Sequence, residues 1–263
     1  MYRLYDMHCH LDFMSNAPEV ASYAASQKVG ILCATVTPQG YRDALSALQP
    51  HPNVWVGAGL HPWWIADGSC GETEVARAVE LARSATIVAE VGLDFSRRGG
   101  SDEARRRQLD AFERIAIACA DSPAIGRPKL LSLHAVRSAD VVLDALERTG
   151  CLSSCACIFH WFSGTSAELA RARAAGCFFS INEMMLATRK GREYARQLPE
   201  GRLLLETDLP PEEGAFFDPD ELFAQLERTL EQLAAIRGVN ASALGARIAE
   251  TSTGLLRQLG GTP

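Results

Sequence analysis

Eight apolar runs recur along the chain, each followed by a polar or Ala-rich stretch with helical character, and this alternation limits the fold more than any other feature. The runs cover 3–8, 29–36, 54–60, 86–92, 129–134, 156–160, 177–182 and 202–207. Helical stretches are predicted over 18–27, 39–48, 72–84, 102–121, 137–149, 165–175 and 184–197. A last helical region spans 219–259, with a break near Gly238-Val239-Asn240. The strand runs are continuously apolar rather than alternating, which marks a parallel sheet covered by helices on its faces. Eight such units suggest closure into a (β/α)8 barrel, a fold that needs ~250 residues in one domain. The chain has 263 residues and nothing in it resembles an interdomain linker, so 1–263 is expected to be one domain.

In a barrel of this kind chemistry collects where the strands end, at their C-terminal rim. The first run ends in His8-Cys9-His10, and strand alternation turns both imidazoles to one face while Cys9 turns to the other. The third ends in Gly59-Leu60-His61-Pro62, the fourth in Glu90-Val91-Gly92-Leu93-Asp94, and the fifth in His134. The sixth ends in His160-Trp161-Phe162-Ser163-Gly164 and the eighth in Glu206-Thr207-Asp208-Leu209-Pro210. Of six histidines only His51 lies away from a rim. Structural histidines would scatter over helices and loops as well, so this placement points to a metal site. Neutral imidazole with carboxylate is the donor set of Zn, Mn or Mg. Glu90, on a middle strand, is placed to bridge two ions. Asp208, on the closing strand, is placed to reach the ion held by His8 and His10 and to take a proton from water. Glu206 shares the inward face with Asp208 and reads as a partner behind the ligands.

The balance of the chain narrows the setting. A net charge of −6 gives no global attraction to nucleic acid, so any polyanion must be held locally. No apolar run approaches the ~20 residues that cross a bilayer. The eight cysteines form no Cys-x-x-Cys pair and several sit in apolar runs, as free thiols in a reducing compartment do, so a cytoplasmic location is expected. Trp63-Trp64 can stack bases or cover the barrel mouth. Arg97, Arg98 and Arg105-Arg106-Arg107, and likewise Arg189, Lys190 and Arg192, follow catalytic strand ends; they can neutralise phosphates or form solvated helix faces.

The ordered motifs His-x-His, Gly-Leu-His-Pro, Glu-Val-Gly-Leu-Asp, strand-ending His, His-x-Phe-Ser-Gly and Glu-Thr-Asp-x-Pro resemble the TatD family of metal-dependent deoxyribonucleases over nearly the whole chain. The resemblance implies a TIM barrel of the metal-dependent hydrolase type that cuts DNA phosphodiesters with two divalent ions. It implies His8, His10, Glu90 and Asp208 around one ion and Glu90, His134 and His160 around the other. It makes Asp208 and Glu90 the catalytic residues, and brings His61, with Arg137 and Trp161, towards the substrate. More narrowly, Val36-Thr37-Pro38, His160-Trp161-Phe162-Ser163-Gly164, 176–180 and 185–192 are similar to the TatD-type nuclease of the bacterial Qat anti-phage defence system, which implies other Qat subunits as partners. The chain departs from the family pattern at three places. Phe95 follows Gly-Leu-Asp where Tyr is common, Arg137 stands three residues after His134 rather than two, and Thr251-Ser252-Thr253-Gly254 replaces Thr-x-x-Asn. Three alternatives stand beside the nuclease. An amidohydrolase would bridge its ions with a modified lysine, which the fourth strand lacks. An esterase acting on aminoacyl-tRNA would share the metal chemistry. A binding subunit of a defence complex would tolerate a degenerate site, yet every expected ligand is present.

Overall fold

The computed structural model describes residues 2–96, 100–122 and 128–258. Its strands are β1 (Leu4–Cys9), β2 (Val29–Ala34), β3 (Val54–Gly57), β4 (Ile87–Asp94), β5 (Lys129–Val136), β6 (Cys155–His160), β7 (Phe178–Ile181) and β8 (Leu203–Leu205). All pair in parallel and in sequence order, β1-β2-β3 in one sheet and β4 through β8 in another. Two seams join them into a ring. At the first, Ala58 bridges to Val88 and Leu60 N–H donates to Glu90 O at 3.0 Å. At the second, Asp208 N–H donates to His8 O at 2.9 Å and His10 N–H to Leu209 O at 2.8 Å. The result is a TIM-type α/β barrel.

Helices fill the connections. On the first half lie α1 (Ala17–Ser26), α2 (Pro38–Leu48), the short α3 (Pro62–Ala66) and α4 (Glu72–Ser84). The second half carries α5 (Asp102–Asp121), α6 (Ala139–Arg148), the one-turn α7 (Cys151–Ser154), α8 (Ser166–Ala174), α9 (Glu183–Ala187) and α10 (Arg189–Gln197). The last two are α11 (Pro219–Arg237) and α12 (Ala241–Gln258). Side chains open several of them: Ser101 Oγ accepts from Ala104 N–H, and Thr165 with Glu168 makes a capping box. Gly238, at φ +66°, ends α11 in a left-handed conformation that costs glycine little. This is the expected break between the last two helices. The predicted helix over 184–197 is two helices, because Thr188 stops α9 and its hydroxyl accepts from Gly191 N–H to start α10.

Two apolar layers result. The outer one lies between strands and helices. The inner one is the barrel lumen, where Tyr5, Met7, Leu32, Ala34, Ile87, Ala89, Leu130, Ile158 and Leu204 meet Ala249, Leu255 and Leu256 of α12. Tyr5 Oη and Thr253 Oγ1, 2.8 Å apart, tie α12 beneath the strands. Lys129, buried at the start of β5, donates to the Ala82, Arg83 and Ala85 carbonyls at the end of α4. The lumen is therefore packed and closed at the N-terminal ends of the strands, and polar side chains converge at the other end. Glycine makes two close approaches there possible. A Cβ on Gly59 would lie 1.6 Å from Thr35 O, and one on Gly92, at φ +142°, 2.0 Å from His134 O.

Candidate metal centre

Glu90, near the middle of β4 and buried, sits at the focus of five histidines. Its Oε1 lies 2.6 Å from His134 Nδ1, 2.8 Å from His160 Nε2 and 3.4 Å from His61 Nε2. Its Oε2 lies 3.7 Å from His10 Nε2 and 3.8 Å from His8 Nε2. Asp208 Oδ1 closes on the second set, 3.4 Å from His10 Nε2 and 3.8 Å from His8 Nε2. All seven residues named from the strand ends are thus brought together. The groups of potential ligand atoms lying within 4.8 Å of one another are His8, His10 and Glu90; His61, Glu90 and His134; and His8, His160 and Asp208. His8 and His160 stack face to face at 4.0 Å, so the two halves are contiguous.

The outward nitrogens of three of these rings are anchored. His8 Nδ1 meets Ser132 Oγ at 2.7 Å, His10 Nδ1 meets Ala34 O at 2.7 Å, and His134 Nε2 meets Asp94 Oδ2 at 3.2 Å. Partners of this kind aim the inner nitrogen and raise its basicity. His160 Nδ1 is 3.8 Å from Glu206 Oε1. Glu206 is itself buried among Ser180 Oγ, Asn182 Nδ2 at 2.8 Å and Trp161 N–H at 3.0 Å. Asp6 takes the His8 and Thr207 amides at 3.2 and 3.0 Å, and the Thr207 hydroxyl at 2.5 Å. It thereby fixes the chain on both sides of the seam that carries His8 and Asp208.

Electrostatics follow from burial and crowding. Burial drives His61 down to about 4, and drives His8 below the ordinary imidazole value. His10 resists burial because Asp208 and Glu90 face it, and it rises to about 9. His134 and His160 are lifted against burial by Glu90, helped by Asp94 and Glu206 respectively. Burial opposes ionisation of Glu90, but His61, His160 and His134 hold it well below the usual carboxylate range. Asp208 is likewise held low against burial by His10, His160 and His8. The centre keeps its carboxylates ionised and surrounds them with imidazoles.

This donor set fits divalent cations. His8 Nε2 is fully buried and has no hydrogen-bond partner among the described residues, yet it points at two carboxylate oxygens. A positive ion between them satisfies all three, and N/O donors of this mixture suit Zn, Mn or Mg. His61 differs from the others. Its Nδ1 accepts the Trp63 amide at 3.1 Å, so the neutral ring carries its proton on Nε2 and presents N–H, not a lone pair, to the centre.

The remaining predicted contacts lie at the rim. Arg137 is exposed, at φ +55°, and Trp161 is half-buried, at φ +39°. Asp208 joins them at φ +60°; strained backbone of this sort is concentrated where function holds it. Of the other basic residues, Arg106 and Arg189 are exposed, and four are engaged elsewhere. Arg105 pairs with Asp102 and lies over the Phe95 ring, and Arg107 pairs with Glu103. Lys190 donates to Ser163 O and Arg192 to Leu186 O. Arg97 and Arg98 lie outside the described residues. Sequence reasoning did not assign Asp94, Ser132 or Asp6 a part in the site. Asp94 alone carried a signal, four residues after Glu90 on the same strand face.

A family model described as TatD related DNase matches residues 5–257. The 3'-5' ssDNA/RNA exonuclease TatD of Erwinia tasmaniensis is 32% identical over 219 residues, covering 79% of this chain and 80% of that protein. An uncharacterized metal-dependent hydrolase of Haemophilus influenzae is 24% identical over 243 residues, covering 90% and 92%. Among solved structures, the TatD homologue YJJV of Escherichia coli K12 superposes with a TM-score of 0.78 at 21% identity, over 96% of this chain and 97% of that one. A hydrolase of the TatD family from Entamoeba histolytica also reaches 0.78, at 15% identity over 97% and 98%.

Proposed function

This chain belongs to the family of TatD-related DNases, a family of metal-dependent hydrolases, and from that premise we propose that it hydrolyses phosphodiester bonds of single-stranded DNA at a two-ion centre. One observation carries the reading: Glu90 Oε2 faces His8 and His10, which Asp208 Oδ1 also approaches, while Glu90 Oε1 faces His134, His160 and His61. Divalent ions held there would supply charge against a phosphodiester and acidify water. The chain's own groups do the rest. Asp208, with 16% of its side chain exposed against 9% or less for His8, His10, His134, His160 and Glu90, is the carboxylate that solvent and substrate reach. Its Oδ1 faces His8 and His10, and its Oδ2 is left to accept the proton of the attacking water. His61 Nε2–H donates to a phosphate oxygen, Arg137 neutralises a neighbouring phosphate, and Trp161 offers a rim surface to a base. Glu206 braces His160 and the Trp161 amide from behind.

The single-strand preference is supported by the named activity of the Erwinia tasmaniensis relative. An amidohydrolase-type lysine bridge finds no support, since Lys129 is buried at the opposite end beneath α4. A cytoplasmic setting is part of the proposal, supported by eight free thiols. So is a place beside other Qat subunits in anti-phage defence, for which the support is motif similarity. The test is incubation of the purified protein with single- and double-stranded DNA, RNA and carboxylic ester substrates, each with Mg, Mn or Zn. Metal-dependent cleavage fastest on single-stranded DNA is expected. Ester turnover without nucleic-acid cleavage would sink the nuclease reading.

A further inference from the structure

We infer that Asp94 is a positioning residue whose single carboxylate oxygen aims His134 into the metal centre and at the same time fixes the Trp63 indole as the wall beside it. The inference rests on the reading of the centre as a metal site. Asp94 ends β4, four residues beyond Glu90, so strand alternation turns both carboxylates to the barrel axis. Gly92 stands between them without a side chain, and β5 approaches so closely that His134 enters the space between the two acids. The imidazole is gripped at both nitrogens, Nδ1 by Glu90 Oε1 at 2.6 Å and Nε2 by Asp94 Oδ2 at 3.2 Å. A carboxylate only accepts, so Nε2 carries a proton towards Asp94. With a cation beside Glu90, Nδ1 is left with its lone pair facing inward.

The same Oδ2 accepts Trp63 Nε1–H at 2.6 Å. Oδ1 accepts the Ser96 amide at 2.7 Å, and the Asp94 amide donates to Oε1 of the fully buried Gln108 of α5 at 2.8 Å. Held from both oxygens and from its own backbone, the carboxylate has no freedom to rotate. Trp63 consequently stands edge-on to His61, with centroids 4.6 Å apart, and 6.1 Å from His134. One acceptor therefore joins a metal-facing imidazole to an aromatic face at the mouth.

The first measurement uses the wild-type protein, labelled with 15N-histidine and loaded with Zn2+. The His134 spectrum should show a protonated Nε2 and an unprotonated Nδ1. Metal titrations then compare Asp94→Asn and Trp63→Phe. Asp94→Asn should weaken the second equivalent of ion by roughly 10- to 100-fold and leave the first unchanged. Trp63→Phe should keep both ions and the tautomer while raising KM for nucleic acid several-fold. A proton on His134 Nδ1 in the wild-type protein would overturn the inference, and that test does not depend on a variant folding. Wild-type affinity for both ions in Asp94→Asn would overturn it too, and an unchanged KM in Trp63→Phe would remove the wall. Two bound ions with the opposite tautomer would refute Asp94's role alone, whereas failure to bind any divalent ion would refute the metal reading as well.

Discussion

Cation binding at this centre should be coupled to proton release, and the extent follows from His10. With Asp208 and Glu90 facing it, His10 sits at about 9 in the metal-free protein, against an ordinary imidazole value of 6.5. At pH 7 the gap of two units leaves roughly 99% of the molecules protonated there, so proton competition weakens ion binding about 100-fold relative to the deprotonated site. Each pH unit upward recovers about tenfold from His10 alone. His134 and His160, also raised, steepen the dependence. The same shift has a stability consequence in the metal-free protein. A raised folded value stabilises in full below pH 6.5, and that contribution, at most about 3 kcal/mol, is lost as pH rises through about 9. His61, pushed down to about 4, works the other way, and its cost appears as pH falls below 6.5. Titration calorimetry with Mn2+ or Zn2+, in two buffers of different ionisation enthalpy, counts the protons directly. Between about pH 6 and 7.5, at least one proton should leave per ion, and log affinity should climb with a slope of one or more. A flat affinity with no proton released would refute the argument that His10 is held charged by its carboxylates.

Glu90→Gln should keep the fold but lower metal content and cut the rate by roughly a thousandfold or more, since one residue serves both donor sets; atomic absorption and initial rates check this. Gly92→Ala would drive a Cβ to 2.0 Å from His134 O at φ +142°, so a thermal melt should show a loss of about 3 kcal/mol or more. Lys129→Met strips three carbonyls at the end of α4 of their donor and should cost about 3 kcal/mol in denaturant unfolding while leaving metal content intact. Arg137→Ala should raise KM on DNA without changing bound metal, and should flatten the salt dependence of binding by about one unit of slope.

The barrel was legible because its signal is local and repeated. Each strand is a short apolar run, and each histidine of the centre ends or follows one. His8 and His10 could be paired by alternation alone, and Glu90 was placed by strand order. What stayed hidden depends on contacts between distant elements. Ser132 reaches His8 across 124 residues and Asp6 reaches Thr207 across 201, and nothing in either neighbourhood distinguishes a bracing hydroxyl or acid from an ordinary core polar group. The split between α9 and α10 turned on one hydroxyl, Thr188, whose capping role competes with helix continuation at a margin of about 1 kcal/mol. The basic side chains near the rim looked alike in sequence. In three dimensions Arg105 and Arg107 pair with acids of their own helix, while Arg137 stands out to solvent.

β8 has three residues, and the ring closes there through two backbone bonds, from Asp208 to His8 and from His10 to Leu209. The donors of one ion set lie on both banks of that join, His8 and His10 on one and Asp208 on the other. A bound cation would act as a clasp over the thinnest part of the wall, adding its binding free energy to the closure of the barrel. Chelation should therefore loosen the molecule first at this clasp. Hydrogen exchange would report it as early deprotection of the His10 and Asp208 amides, while the long β4–β5 ladder stays shut.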